Sequence, residues 1–432
     1  MAATVETIVV GAEEGPIDLS SVIQPIDGDA SGKNLLCMEQ LDAEDIQTYI
    51  EEAYAAELII KDPLRNGIDL LPRVVLKAVM RQPSTRTGGS MTTAMKKLGG
   101  TAELISGMHS SSEAKGETLA DSWVAFATQA DIIGTRTAED WGPALAAHAI
   151  REAVEYGHFR QNIPVINLGD GRNEHPTQAL GDVFTIHKHF NRFEGLRIAI
   201  VGDHERYRAH HSLLLGAAAL GMEIIAVESP AAPIPPSIVE TLGVNLVARQ
   251  KDLDTAMGDA DVLYLGRNPD EYVEDDDEDK EKAKREKARS EELKADYVNW
   301  IVDYDRLQQM SPNSIVMHPR PRRDELNPNV DSDPRMKDVE QMANMIPMRM
   351  AIIARHLGKS IVEAAFNAKS YWSSKGIPKP AVTKLWFRGD TDTFDIVSLV
   401  ADDFMRRGYT DIVQYADKLN QFYWFAASEP RP

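Results

Sequence analysis

Val74-Val75-Leu76-Lys77-Ala78-Val79 gives way, a few residues on, to Ser84-Thr85-Arg86-Thr87. The first stretch is apolar and β-branched and reads as a strand; the second is hydroxyl-rich and reads as the start of a helix. Outward from there the alternation continues, with helix from Ser84 to Leu98, strand from Ala102 to Ile105, helix from Thr118 to Ala130 and strand from Asp131 to Gly134. A second series begins at Leu196-Arg197-Ile198-Ala199-Ile200-Val201-Gly202-Asp203 and runs through Glu223 to Val227, Asn245 to Val247, Val262 to Leu265 and Ile315 to Met317. Strands that alternate with helices at this spacing form parallel sheets covered on both faces. The two series predict an α/β chain of two doubly wound parallel-sheet domains, joined by a bridging helix from His175 to Phe190.

The expected division makes 1–35 an N-terminal extension, 36–180 the first domain and 181–339 the second. A helix from Glu340 to His356, within 340–358, is expected to return to the first domain. Within the second domain, 270–294 is a charged insertion: Glu274-Asp275-Asp276-Asp277-Glu278-Asp279 precedes a mixed Lys, Arg and Glu run almost without apolar residues. It reads as a solvated surface helix or a disordered loop. The remainder, 359–432, is expected to be a helical C-terminal extension. Phe394, Val397, Val400 and Phe404 share one helical face, as do Ile412, Tyr415, Leu419 and Tyr423, which predicts two amphipathic helices packed on the core or on a neighbouring subunit.

A length of 432 residues accommodates at least two cores, and 43% hydrophobic with 26% charged residues is an ordinary globular composition. The net charge of −20 argues against nucleic acid or an anionic membrane as partner, and makes any local cluster of arginines a deliberate anion trap. The single cysteine, Cys37, excludes an internal disulfide framework and a multi-cysteine zinc site. No secretory pattern opens the chain and no apolar run approaches a membrane span, so the cytosol is the expected compartment.

Ligands of such sheets bind beyond the carboxyl ends of the strands, where the polar motifs fall. A helix start there offers unpaired amides and the positive end of the dipole, a seat for phosphate. Arg86 adds a forked cation, and Ser84, Thr85 and Thr87 add hydroxyl donors. Alone, the quartet is equally a helix cap. Further pieces follow in order: Ser111-Ser112-Glu113-Ala114-Lys115-Gly116-Glu117-Thr118-Leu119-Ala120-Asp121, then Arg136, then Asn167-Leu168-Gly169-Asp170-Gly171 leading into His175-Pro176-Thr177-Gln178, and later His318-Pro319-Arg320-Pro321-Arg322. With these five motifs the chain resembles the aspartate and ornithine carbamoyltransferase family from about Leu36 to about Gly358, and its aspartate branch more closely.

The resemblance implies that the first domain binds carbamoyl phosphate and the second the amino acid, L-aspartate. It implies that Ser84, Thr85, Arg86 and Thr87 hold the phosphate, that Arg136 reaches phosphate and carbonyl oxygen, and that His175 donates to that oxygen. Gln178 and backbone carbonyls near Arg320 and Pro321 would receive the carbamoyl NH2. Ser111 and Lys115 lie on a loop that, in the family, enters the neighbouring subunit's site, which implies a homotrimer or a multiple of it with shared active sites. Arg208 and Arg267 suit the two carboxylates of aspartate. Arg349 matches a further family arginine, read as structural. Since the substrate's own amine attacks, the chemistry calls for orientation and electrostatics, with no covalent nucleophile, metal or cofactor.

Two positions depart from the aspartate pattern. Pro269 stands where the family has Gln, and Arg320 where it has Leu. Arg320 could tighten a dicarboxylate, accept a longer one, or point to solvent. A transcarbamylase for another amino acid and a non-catalytic member acting in assembly are the competing readings.

Overall fold

A computed structural model describes residues 7–8, 17–61, 66–106, 117–267, 280–367, 384–388, 412–416 and 422–426. A short antiparallel pair, β1 (Thr7–Ile8) and β2 (Ile17–Asp18), comes first. After α1 (Ala43–Lys61), the first domain alternates β3 (Val75–Met80), α2 (Thr85–Lys97), β4 (Thr101–Ser106), α3 (Leu119–Ala127), β5 (Ile132–Thr137), α4 (Gly142–Glu155) and β6 (Val165–Asp170). α5 (Pro176–Phe190) leads into the second domain. There β7 (Arg197–Gly202), α6 (Arg208–Ala219), β8 (Glu223–Glu228), α7 (Pro236–Leu242), β9 (Leu246–Gln250), α8 (Leu253–Asp259), β10 (Val262–Leu265), α9 (Lys280–Asn299), α10 (Tyr304–Leu307) and β11 (Ile315–Met317) follow in turn. α11 (Asp338–His356) returns against α1, α2 and α5, and α12 (Ile361–Asn367) follows it.

Both main sheets are parallel throughout, ordered β4-β3-β5-β6 and β11-β10-β7-β8-β9. β6 and β10 are buried along their whole length, as strands covered on both faces must be. β4 is an edge strand and largely exposed; its Glu103 pairs at 2.5 Å with the buried Lys77 of β3. One apolar core runs from the first sheet through α1, α5 and α11 into the second sheet, so the two domains share it. The outer face of the first sheet is closed by α3 and α4, and that of the second by α8 and α9.

Strand order reverses between β3 and β5 in one sheet and between β7 and β10 in the other. At such a switch the flanking connections leave in opposite directions and open a crevice beyond the strand ends. Ser84 follows β3, Arg136 lies in β5, Arg208 follows β7 and Arg267 follows β10.

Of the two readings of the insertion, the helix is the one the structure takes, though not as a wholly solvated one, and one further expectation needs correction. The charged insertion is helical from Lys280, and α9 is bolted down at its end: Leu293, Tyr297 and the following Trp300 are buried in the second domain's core. The predicted helix over Ile412 to Tyr423 is instead β13 (Ile412–Ala416) and β14 (Phe422–Ala426), which pair with β12 (Lys384–Arg388) in an antiparallel sheet ordered β12-β14-β13. Short segments rich in aromatic and β-branched residues favour extended backbone over helix. The helix predicted over Phe394 to Phe404 lies outside the described residues.

Candidate active site

The quartet forms a helix start. Ser84 caps α2, its hydroxyl accepting from the Thr87 N–H at 3.4 Å, while Thr85, Arg86 and Thr87 fill the first turn. Arg86 reaches across to the loop after β11, donating to the carbonyls of Pro319 (3.3 Å) and Arg320 (2.6 Å). That loop carries a cis peptide between Arg320 and Pro321 and a left-handed Arg320, with φ of 55°.

A cleft of about 280 Å³ lies between the domains, lined among others by Ser84, Arg86, Thr87, Arg136, His175, Gln178, Arg208, Arg267, Arg320, Pro321 and Arg349. A contiguous hollow of about 630 Å³ shares Ser84, Arg86, Arg136, Arg267 and Pro321 and adds Thr85, Gln82 and Arg172. Among the described residues, neither is lined by a carboxylate. In a chain of net charge −20, this collects positive potential at one place and favours anions there. Burial, with Arg267 and Arg320 nearby, pulls the Arg86 guanidinium below its ordinary value. Burial lowers Arg349 to about 10.

His175 stands at the N-cap of α5, 5% exposed, with its backbone N–H donating to Ser212 Oγ at 2.8 Å. Burial first, then Arg136, Arg349 and Arg208, hold its imidazole well below the ordinary histidine value, so the ring is neutral at pH 7. A neutral ring keeps one N–H to donate. Gln178, on the first turn of α5, donates Nε2 to Asp182 Oδ1 at 2.8 Å, which leaves its amide oxygen to accept. Asp182 also accepts from Gln341 (2.7 Å) and Tyr264 (2.8 Å), and burial raises its carboxyl to about 7.

Arg208 begins α6, is 4% exposed, and donates to the Gly171 carbonyl (3.0 Å) and to Gln82 Oε1 (2.6 Å). The same Gln82 oxygen accepts from Arg136 Nε at 3.1 Å, so one amide joins arginines of both domains. Arg208 also flanks His175: a Cβ on Gly169, whose φ is 109°, would lie 3.1 Å from Arg208 Nε and 3.3 Å from His175 Cδ2. Arg349 spans the junction from α11, donating to the Thr87 carbonyl (3.3 Å), Thr177 Oγ1 (3.5 Å) and the Ser90 hydroxyl. On the cleft wall the Arg320 guanidinium is held by Asp338, with Nε donating to Oδ2 at 2.6 Å. Its backbone, with that of Pro319, is what faces Arg86.

Ser111, Lys115 and Pro269 lie outside the described residues. Among those described, no group of histidine, cysteine and acidic side chains is arranged to hold a metal, and no helix is long and apolar enough to cross a membrane. Sequence reasoning missed Gln82, Asp182 and Asp338. Gln82 sits between β3 and the quartet, and Asp182 is one helical turn beyond Gln178, so both lay within reach of motifs already recognised. Nothing local marks Asp338 as the partner of Arg320.

Comparison with known proteins agrees with this arrangement. Residues 33–188 match the aspartate/ornithine carbamoyltransferase carbamoyl-P binding domain, and residues 194–355 match the Asp/Orn binding domain of the same family. The aspartate carbamoyltransferase catalytic subunit of Methanocaldococcus jannaschii is 35% identical over 328 residues, 75% of this chain and 97% of that protein. The corresponding subunit of Archaeoglobus fulgidus is 32% identical over 322 residues, 74% of this chain and 98% of that protein. Aspartate transcarbamoylase from Trypanosoma cruzi in complex with carbamoyl phosphate superposes with a TM-score of 0.66 at 30% identity, covering 78% of this chain and 99% of that one. Its complex with N-(phosphonacetyl)-L-aspartic acid gives 0.66 at 31% identity, with the same coverage.

Proposed function

The chain belongs to the aspartate/ornithine carbamoyltransferase family, and from that membership and the cleft we infer its reaction and the residues that carry it. It transfers the carbamoyl group of carbamoyl phosphate to the amine of L-aspartate, giving N-carbamoyl-L-aspartate and phosphate. The observation that carries the assignment of roles is the convergence of the α2 start, Arg86, Arg136, His175 and Gln178 on one cleft with no carboxylate among its described lining residues.

In this reading Ser84, Thr85, Arg86 and Thr87 receive the phosphate at the α2 start. Arg86 then exchanges two neutral carbonyls for a dianion, a stronger charge-assisted bond, and the freed Pro319 and Arg320 carbonyls accept the carbamoyl NH2 together with Gln178 Oε1. Neutral His175 and Arg136 donate to the carbonyl oxygen. As the nitrogen–carbon bond forms, that oxygen gains charge, and each preorganised donor lowers the barrier by roughly 3 kcal/mol. The carbon–oxygen bond to phosphate then breaks, and phosphate leaves with the electron pair and takes up the proton that the amine gives up. Arg208 and Arg267, one at each side of the second domain's switch point, take the two carboxylates. Arg349, by holding the Thr87 carbonyl, keeps the α2 start facing the domain junction.

We also read the active unit as a homotrimer, or a multiple of it, in which Ser111 and Lys115 of one subunit complete the site of the next, and the reaction as the committed step of pyrimidine synthesis in the cytosol. The family resemblance and the arginine-lined second mouth of the cleft support this. The test is turnover of radiolabelled carbamoyl phosphate with a panel of amino acids. L-aspartate is the expected acceptor, and turnover with a neutral or cationic amino acid but none with aspartate overturns the assignment. His175→Ala should cut turnover without loss of fold.

A further inference from the structure

Tyr297 ties together the two loops that carry Arg208 and Arg267. Its hydroxyl accepts from the Asp203 backbone N–H at 3.1 Å and donates to the Arg267 carbonyl at 2.9 Å. Asp203 follows β7 on the way to Arg208, and Arg267 follows β10, so one oxygen bridges the second domain's switch point. The approach is close: a Cβ on Gly202, whose φ is 134°, would stand 2.5 Å from this hydroxyl. Burial, and then Asp203, push the Tyr297 hydroxyl well above the ordinary tyrosine range, so it stays protonated and able to donate.

Tyr297 belongs to α9, the charged insertion helix. That helix grips the same β7–α6 loop a second time, because Arg289 pairs with Glu205, and it also reaches the loop after β8, where Arg289 donates its Nε to the Ala231 carbonyl at 3.0 Å. Leu293 and Trp300, buried beside Tyr297, fix the helix against the outer face of the sheet. A helix held this firmly, with the Tyr297 hydroxyl placed between two arginine loops, does more than cover the core.

We propose that Tyr297 is a positioning residue for the amino-acid substrate: its hydroxyl sets the spacing of the Arg208 and Arg267 loops, and through it the insertion helix sets affinity for aspartate. The inference rests on the assignment of Arg208 and Arg267 to that substrate. It does not concern carbamoyl phosphate, whose seat is on the other domain.

The test is initial-rate kinetics of the full chain, varying each substrate in turn, with circular dichroism as the check on folding. Tyr297→Phe keeps the ring and removes the hydroxyl. It should raise KM for aspartate about tenfold, the loss of roughly one hydrogen bond's contribution, and leave KM for carbamoyl phosphate within about twofold. Arg289→Ala, at a half-exposed site, should raise KM for aspartate by a smaller factor of about three, and serves if Tyr297→Phe does not fold. Trp300→Phe, which removes the bond from Nε1 to the Lys251 carbonyl (2.9 Å), should lower Tm and leave both KM values unchanged. The proposal is overturned if Tyr297→Phe and Arg289→Ala leave KM for aspartate unchanged while Arg267→Ala raises it, or if both KM values rise together. If Arg267→Ala also leaves KM for aspartate unchanged, the arginine assignment fails first and takes the inference with it.

Discussion

Gln82→Ala takes away an oxygen that two arginines from different domains share, Arg136 Nε at 3.1 Å and Arg208 Nη2 at 2.6 Å. A hydrogen bond to a charged group contributes about 1.5–3 kcal/mol net. Arg136 is only half-buried, so cleft water replaces its lost partner and that share largely cancels. Arg208 is 4% exposed and has no such recourse, although the Gly171 carbonyl still holds its Nη1. The net loss is therefore near the lower bound, about 1.5–2 kcal/mol, and it falls on the placement of Arg208. At about 1.4 kcal/mol per factor of ten, kcat/KM for aspartate should drop roughly 10- to 30-fold. The value for carbamoyl phosphate should drop by less than about threefold. Steady-state kinetics with each substrate decides it: a Gln82→Ala enzyme whose kcat/KM for aspartate falls less than twofold refutes the reasoning, and equal falls for both substrates would place the effect elsewhere.

Glu174, fully buried against Ser212 and the Met38 N–H, has a carboxyl raised by burial to about 8. A carboxyl raised in this way stabilises the fold fully below its unfolded value of about 4.5 and loses that contribution as pH climbs through 8. Glu174→Gln does not titrate, so its Tm should gain on wild type between pH 5.5 and pH 8.5; a constant difference in thermal melts argues against the burial cause. His187, His204 and His356 are each lowered by burial to about 4, so their contribution is present above 6.5 and lost as pH falls toward 4. Each steepens the acid loss by up to about 1.4 kcal/mol per pH unit, and His204→Leu, which removes a fully buried ring, should flatten the urea midpoint between pH 7 and pH 5. Arg320→Leu leaves Asp338, 3% exposed, without its cation and should cost about 3 kcal/mol in urea unfolding. Arg320→Leu combined with Asp338→Leu should recover most of that, and strict additivity of the two changes would disprove the pairing.

Much of the architecture was legible because its signals are local. Apolar strands of three to six residues, alternating with helices, fix both sheets and both switch points, and Ser84 is the cap that its residue type suggested. The insertion was read as far as Lys294, which cut off a stripe at helical spacing formed by Leu293, Tyr297 and Trp300. Carried a few residues further, the same periodicity argument would have found the buried face. The C-terminal segment failed for the opposite reason. Ile412, Tyr415, Leu419 and Tyr423 satisfy a helical period by coincidence, and in so aromatic a stretch the extended alternative fits the same residues.

The site divides in the same way. Residue type announced six arginines on the cleft wall, but a cation's role depends on where its partner stands, and that is decided by faces meeting across the domain junction. Arg208 is spoken for by Gly171 and Gln82, Arg349 by Thr87 and Thr177, and Arg320 by Asp338 on the first turn of α11. Arg320 shows the consequence most plainly. Its presence in place of Leu looks from sequence like a new charge for the substrate to meet, yet Asp338 takes that charge and the backbone carbonyl is what reaches Arg86. A peptide carbonyl is the same group whichever side chain follows it. On the proposed reading, the substitution therefore alters how the loop is anchored and leaves the backbone carbonyl it presents unchanged.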